Sequence, residues 1–297
     1  MYEQFYGFSA LPFSLLPDAD FLFLSERHRR AVNLLEYGMM SQAGFIVITG
    51  EVGAGKTTII RKFLKSADQG LAVGVISNPS KTLGRLLSWV AMAFEFEDSG
   101  QDQARTYDSF IKFLLARYSE GRRSVLIIDE AQNLSADMLE DLRMLSNVNN
   151  EKDQLLQIVL VGQPELLETL NRADLKQFAQ RIAVHCHLDP LTPGETAAYI
   201  HHRLHVAGAK NEIFNDIACA AVYFFTGGVP RLINLLCDQA LVYTFSQDGL
   251  SVSPDVIAEV VLDRARSGLS AFRELPQGWN ARELVGNITG ILREMRA

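Results

Sequence analysis

Residues 45–58 read FIVITGEVGAGKTT, and this stretch restricts the fold most tightly. The opening run is β-branched, apolar and too short for a core helix, so it reads as a buried strand. Gly50, Glu51, Val52, Gly53, Ala54, Gly55, Lys56 and Thr57 then match the pattern GxxxxGK[ST]. That pattern works only between a strand and a helix. Its glycines let the backbone curl so that successive N–H groups and the helix N-terminus point at a phosphate, with no Cβ in the way. Lys56 brings a point charge to the β- and γ-phosphates, the Thr57 hydroxyl is placed to ligate Mg²⁺, and the nucleotide-binding stretch extends to Thr58.

The rest of the chain supports a sheet around this loop. LAVGVIS (71–77), SVLIID (124–129) and LLQIVLVG (155–162) repeat the buried-strand pattern, and HCHLDPL (185–191) is expected to close the region. Helical spacing fills 57–66, 82–94, 106–119 and 135–147 between them, so the expected core is α/β, a parallel sheet flanked by helices. After LTPGE the strands stop. Stretches 193–207, 214–225, 229–246 and 254–265 all carry helical spacing, with Thr192 as N-cap and Pro193 at the first turn of the first. The expected organisation is an N-terminal segment 1–44, an α/β domain 45–191, an all-helical lid 192–266, and a linker with a terminal helix over 267–297. In that helix Leu284, Val285, Ile288, Ile291, Leu292 and Met295 share one face, which either packs on its own domain or meets a partner.

Composition narrows the setting. Three cysteines, Cys186, Cys219 and Cys237, show no CxxC spacing and read as reduced packing residues. No apolar run reaches the roughly 18 residues of a membrane helix, and the aromatic-rich start carries Glu3, Asp18 and Asp20 without the basic residues of a secretory signal. The expectation is a cytoplasmic chain without a transmembrane segment that reaches the inner membrane only through a partner. A net charge of −7 argues against a surface that is basic throughout. His28 reads as a helix-surface residue. His201 and His205 stand at i, i+4, but without the Glu of HExxH the histidines, His185, His187 and His202 included, do not make a metal site.

A phosphate loop alone does not decide between kinase, GTPase and motor; a second acidic motif does. In SVLIIDEAQ a strand runs into Asp129 and Glu130. Asp129 can hold Mg²⁺ through water and Glu130 can polarise the attacking water as a base. Their bland alternative is a pair of acids complementing a helix N-terminus. The next strand ends in VGQPEL, which brings Gln163 out at the same edge, either to orient the lytic water or simply as a turn residue before Pro164. Arg181 precedes the short strand, and Arg231 begins a helix directly after Gly-Gly-Val-Pro.

Phosphate loop, Asp-Glu pair, polar sensor, arginine before the last strand and GGxPR in a helical lid, in that order, resemble an AAA+ ATPase with a P-loop NTPase core. FYGF, LPFSLLPDADFLFLS and VLIIDEAQNL resemble more narrowly the general-secretion ATPases called ExeA or GspA, a family that extends to ATPases encoded beside exosortase and exopolysaccharide genes. The resemblance covers roughly residues 1–265. It implies Gln163 at the sensor 1 position, Arg231 at sensor 2, and Arg181 as the arginine finger reaching a neighbouring subunit, with Arg172 a weaker choice. A finger acting in trans requires head-to-tail assembly into a ring or filament. The N-terminal aromatics Phe5, Tyr6, Phe8, Phe13, Phe21 and Phe23 are expected to pack on the sheet edge and wall the adenine, or else to form a docking patch.

Three functions compete. The first is an Mg²⁺-dependent ATPase that energises or regulates a secretion or exopolysaccharide export system with a membrane or envelope partner. Envelope relatives carry a transmembrane helix and a peptidoglycan-binding domain after the ATPase, so the expectation here is the shorter type. The second is a transposition ATPase of the TnsC or TniB type forming filaments on duplex DNA, with Lys81, Arg85 and Lys152 as channel-lining charges. The third, a switch that binds without hydrolysing, is opposed by Lys56, Asp129 and Glu130.

Overall fold

The computed structural model describes residues 1–16, 18, 20–66, 70–79, 85–100, 102–150, 153–268, 271–273 and 281–296. Lys81 and Lys152, and most of the expected linker, lie outside these residues. Five runs make the main sheet, β1 Phe45–Gly50, β2 Leu71–Ser77, β3 Arg123–Asp129, β4 Leu156–Gly162 and β5 Ile182–Leu188, apart from a short antiparallel pair of Asn149–Asn150 with Asp153–Gln154. The sheet order is β2-β3-β4-β1-β5 and every pairing is parallel. Every residue of β1 and β4 is buried, which is why they read as continuous apolar runs, whereas the edge strands β2 and β5 alternate.

Parallel neighbours need crossovers, and helices supply them. These are α3 Lys56–Ser66, α4 Leu86–Phe94, α5 Gln103–Ser119, α6 Ala136–Leu145, α7 Glu165–Leu170 and α8 Lys176–Ala179, preceded in the chain by α1 Tyr2–Tyr6 and α2 Glu26–Met40. Asp102 and Ser135 cap α5 and α6 by accepting from the N–H groups of Arg105 and Met138. Helix α2 carries His28, which was expected on a helix surface. It buries Ala31, Val32, Leu35 and Met39, and His28 with them, so the surface position expected for His28 is corrected to a buried one.

The last strand starts and ends three residues before its expected bounds of 185–191. Pro190 cannot donate to a ladder, which stops β5 at Leu188, while Ile182 already pairs with Phe45.

Contacts divide the chain into two units. Glu26–Glu51 with Lys56–Leu188 form the sheet unit, and Met1–Ser25, Val52–Gly55 and Asp189–Ala297 form the helical unit. The helical unit contains α9 Pro193–Val206, α10 Asp216–Thr226, α11 Pro230–Ser246, α12 Pro254–Arg266 and α13 Ala281–Arg296. Thr192 and Glu195 close a capping box at the start of α9, at 3.2 and 3.0 Å. Ile288 is buried on α13, with Ile291, Leu292 and Met295 packed on the same core against α9 and α10, while Val285 is exposed. The terminal helix therefore covers its own unit.

The aromatic segment joins this core rather than a sheet edge. Phe8, Phe13 and Phe21 are buried in it, Phe13 packs edge-on to Phe214, Phe23 to Tyr199 and Phe5 to Phe245. The Tyr2 hydroxyl donates to Asp238 and that of Tyr6 to the Gly249 carbonyl at 3.1 Å. Arg203, itself buried, donates to the Tyr199 hydroxyl and lies over the Phe21 ring. The expected packing on the sheet edge is thus corrected: flat rings seal whichever apolar surface is left open, and here that surface belongs to α9, α10 and α11. Among the described residues no helix is long and apolar enough to cross a membrane.

One turn of the helical unit has no room for a side chain. Gly228 has φ +79°, and a Cβ there would lie 2.0 Å from the Leu191 carbonyl oxygen. Gly228→Ala is expected to destabilise the fold by about 2 kcal/mol or more, read as a lowered denaturation midpoint against the parent chain.

Candidate nucleotide site

Parallel register brings the functional ends of the strands to one edge. Thr49 stands beside Gly162, Gly50 beside Leu188, and Ser77 beside Asp129. The loop after β1, the acids after β3 and Gln163 after β4 therefore leave the sheet together, where ligands meet open α/β sheets.

Within the loop, Gly53 and Gly55 have φ +80° and +99°, values open to glycine at little cost. Gly50 and Ala54 are buried, Glu51 and Val52 exposed, Thr57 exposed and Thr58 half-buried. Lys56 opens α3 with 7% of its surface exposed, and its Nζ donates to the carbonyls of Gly50 at 2.7 Å and Glu51 at 3.0 Å. The ammonium so held braces the loop from inside. Burial lowers its pKa below the ordinary 10.5, and the carboxylates of Glu130, Asp129, Glu51 and Glu165 pull it back up.

Across the edge the Thr57 hydroxyl donates to Asp129 Oδ2 at 3.2 Å, and Asp129 Oδ1 accepts the Glu130 N–H at 3.0 Å. The two oxygens of Thr57 and Asp129 form the hard donor set that suits Mg²⁺. Glu130 takes the left-handed conformation, φ +55°, which turns its side chain away from the strand direction. Its Oε2 accepts from Gln132 Nε2 and, at 3.2 Å, from Gln163 Nε2. Lys56, Thr57, Asp129, Glu130 and Gln163, chosen from sequence, are thus brought together.

Gln132 and Asn78 were not anticipated. Asn78 follows β2 with φ +57° and accepts from Asn133 Nδ2 at 3.0 Å, which ties the ends of β2 and β3. The signal for Gln132 was its place three residues after Asp129 in DEAQ, but spacing alone does not show an amide facing a carboxylate.

Three arginines were also singled out from the sequence. Arg231, exposed at the start of α11, has its N–H on the Gly53 carbonyl at 3.3 Å, and a Cβ on Gly53 would lie 2.4 Å from Arg231 Cβ. Arg181 donates to Ser146 Oγ at 3.1 Å and weakly to the Arg143 carbonyl, and its charge also acts on the Glu140 carboxylate. Arg172 is paired with Asp174 at 2.7 Å. On β1 the buried Thr49 hydroxyl sits between His185 Nε2 and His187 Nδ1, at 3.1 and 2.9 Å. His201 instead contacts the Phe214 carbonyl at 3.0 Å.

Residues 39–170 match the family model described as an AAA domain. The chain is 42% identical over 248 residues to general secretion pathway protein A of Aeromonas hydrophila, covering 83% of this chain and 45% of that protein. Residues 39–170 are thus similar to an AAA domain. A further relative in sequence is the Mu-like prophage FluMu DNA transposition protein B of Haemophilus influenzae, 29% identical over 136 residues, or 45% of this chain and 42% of that one. The chain spans less than half the length of either curated relative. Among solved structures, Cdc6p of Pyrobaculum aerophilum superposes with a TM-score of 0.64 over 91% of this chain and 74% of its own, at 17% identity, a likeness of AAA fold alone.

The lowered pKa of Lys56 gives a test of its role. The unfolded chain holds this proton more tightly, so the charged ammonium costs stability at pH values below its lowered pKa, and the cost fades as pH rises towards 10.5. Lys56→Met is expected to lower nucleotide affinity by about 100-fold or more, the loss of a charge-assisted phosphate contact. The thermal midpoint without nucleotide should not fall. Calorimetry with an ATP analogue and thermal melts at pH 7 check both halves.

Proposed function

We propose that this chain hydrolyses ATP with Mg²⁺ and uses the cycle to drive or regulate assembly of a secretion or exopolysaccharide export system. The observation that carries the hydrolytic reading is Glu130, held by two amide donors beside Asp129 at the edge where the phosphate loop emerges. A chain that only bound nucleotide would not need this base and its supporting amides. The export reading rests on 42% identity to general secretion pathway protein A, the larger of the two sequence likenesses.

In this reading, backbone N–H groups of Gly53, Ala54, Gly55 and Lys56 cradle the β-phosphate, and Lys56 turns its ammonium from the loop carbonyls to the γ-phosphate. Thr57 and Asp129 would hold Mg²⁺, which would supply charge neutralisation to the phosphates. Glu130 accepts a proton from the attacking water and Gln163 orients that water for in-line displacement of ADP. Arg231, whose backbone is tied to Gly53, reports the γ-phosphate to α11. Arg181 contributes charge to a neighbouring subunit's site, which implies a ring or filament.

The likeness to a DNA transposition protein supports a second reading, in which the assembly forms on duplex DNA. Arg85, exposed at the N-cap of α4, is the described residue for that contact. Retention on duplex DNA at moderate salt with an ATP analogue would favour it over export.

Glu130→Gln is expected to cut the ATPase rate by about 100-fold or more while leaving nucleotide affinity within about twofold, since a general base contributes on that scale. A rate unchanged by Glu130→Gln would remove the hydrolytic role of this residue. Turnover per subunit should rise with protein concentration, and Arg181→Ala should abolish that rise. A concentration-independent rate would argue for a site complete in one chain.

A further inference from the structure

Beside Gln163, a second amide side chain reaches Glu130, that of Gln132. It stands in the single turn Ala131–Asn133 that follows β3. Its Oε1 accepts the backbone N–H of Gln163 at 3.0 Å, and its Nε2 donates to Glu130 Oε2. The amide can face only one way, because a backbone N–H needs an acceptor and a carboxylate oxygen needs a donor. One side chain thus spans from the candidate base to the main chain of the candidate sensor. Gln163 closes the triangle by donating its own Nε2 to the same Oε2, at 3.2 Å.

Three features mark the triangle as built rather than incidental. Gly162 ends β4, and a Cβ there would lie 3.0 Å from Gln132 Oε1 and 2.9 Å from Leu166 Cδ2, so glycine leaves room for this amide. Glu130 is held in the left-handed region, where its backbone alone does not favour a non-glycine residue. Both donors fall on Oε2, and Oε1 has no hydrogen bond among the described residues, which leaves one carboxylate oxygen open to a water.

We propose that Gln132 is the positioning residue of the hydrolytic centre: it fixes Oε2 of Glu130 and the main chain of Gln163 in one unit, so that Oε1 and the Gln163 amide meet the same water. The inference rests on the hydrolytic reading of Glu130 given above. Gln132 donates no proton to and takes none from the substrate, and its effect passes through its two neighbours.

The test compares Gln132→Leu, which removes both amide functions, with Gln132→Glu, which keeps the length and the acceptor for the Gln163 N–H but turns a carboxylate on Glu130. Gln132→Leu is expected to lower kcat by about 10- to 100-fold, as a misplacement of about 1 Å does, with KM and ATP-analogue affinity within about twofold of the parent. Gln132→Glu should lose at least as much kcat in a chain that melts with the parent, since the substitution is isosteric. Gln132→Leu and Gln163→Leu should be strongly non-additive in kcat, because they disable the same unit. If Glu130→Gln is inactive and Gln132→Leu keeps parental kcat, this inference fails alone. It also fails alone if Gln132→Glu loses nucleotide affinity in step with kcat, which would make Gln132 a support of the fold. If Glu130→Gln turns over like the parent, the hydrolytic reading falls and the inference with it.

Discussion

Everything at the candidate site depends on the parallel register of the sheet. Carboxyl ends of neighbouring parallel strands fall at one edge, so a loop after β1, a pair of acids after β3 and an amide after β4 meet without further design. Had one strand run antiparallel, its functional residues would leave from the opposite edge. Burial on both faces is what holds the register. Every residue of β1 and β4 is out of water, and a slip by one position would exchange their two packed faces.

The same burial explains which parts were legible in the sequence. Central strands announce themselves because a run such as FIVITG cannot be satisfied anywhere but between two helical layers. The phosphate loop was legible because backbone chirality leaves glycine few substitutes at Gly55, a position the pattern fixes. Caps at Thr192 and Pro193 were legible because they use only local hydrogen bonds. Edge strand β5 was misplaced by three residues, since a half-exposed strand carries a weaker pattern and the proline that ends it lies inside the expected span.

What escaped was long-range. Aromatic rings are apolar on any surface, and nothing in FYGF or LPFSLL says whether a sheet or a helical core receives them; Phe214 and Tyr199, some 200 positions on, decide it. His28 escaped for the same reason, because an imidazole can face water or packing equally well until its neighbours are known. Gln132 escaped because a glutamine beside two acids is ordinary in a turn. Its meaning appears only when β4 places the Gln163 N–H within 3.0 Å of its oxygen.

Gly53 shows how a single loop position can serve two masters. The pattern GxxxxGK asks nothing of it, since it falls among the free positions. The backbone asks for glycine through φ +80°, and Arg231 asks again, because its Cβ occupies the place where a side chain on Gly53 would begin. The Gly53 carbonyl meanwhile accepts the Arg231 N–H. Loop and helix start are therefore fitted backbone to backbone, without a flexible side chain between them to absorb displacement. A shift of the loop on phosphate binding would be passed to α11 with little slack, and the absence of a Cβ at Gly53 is what permits so close a fit.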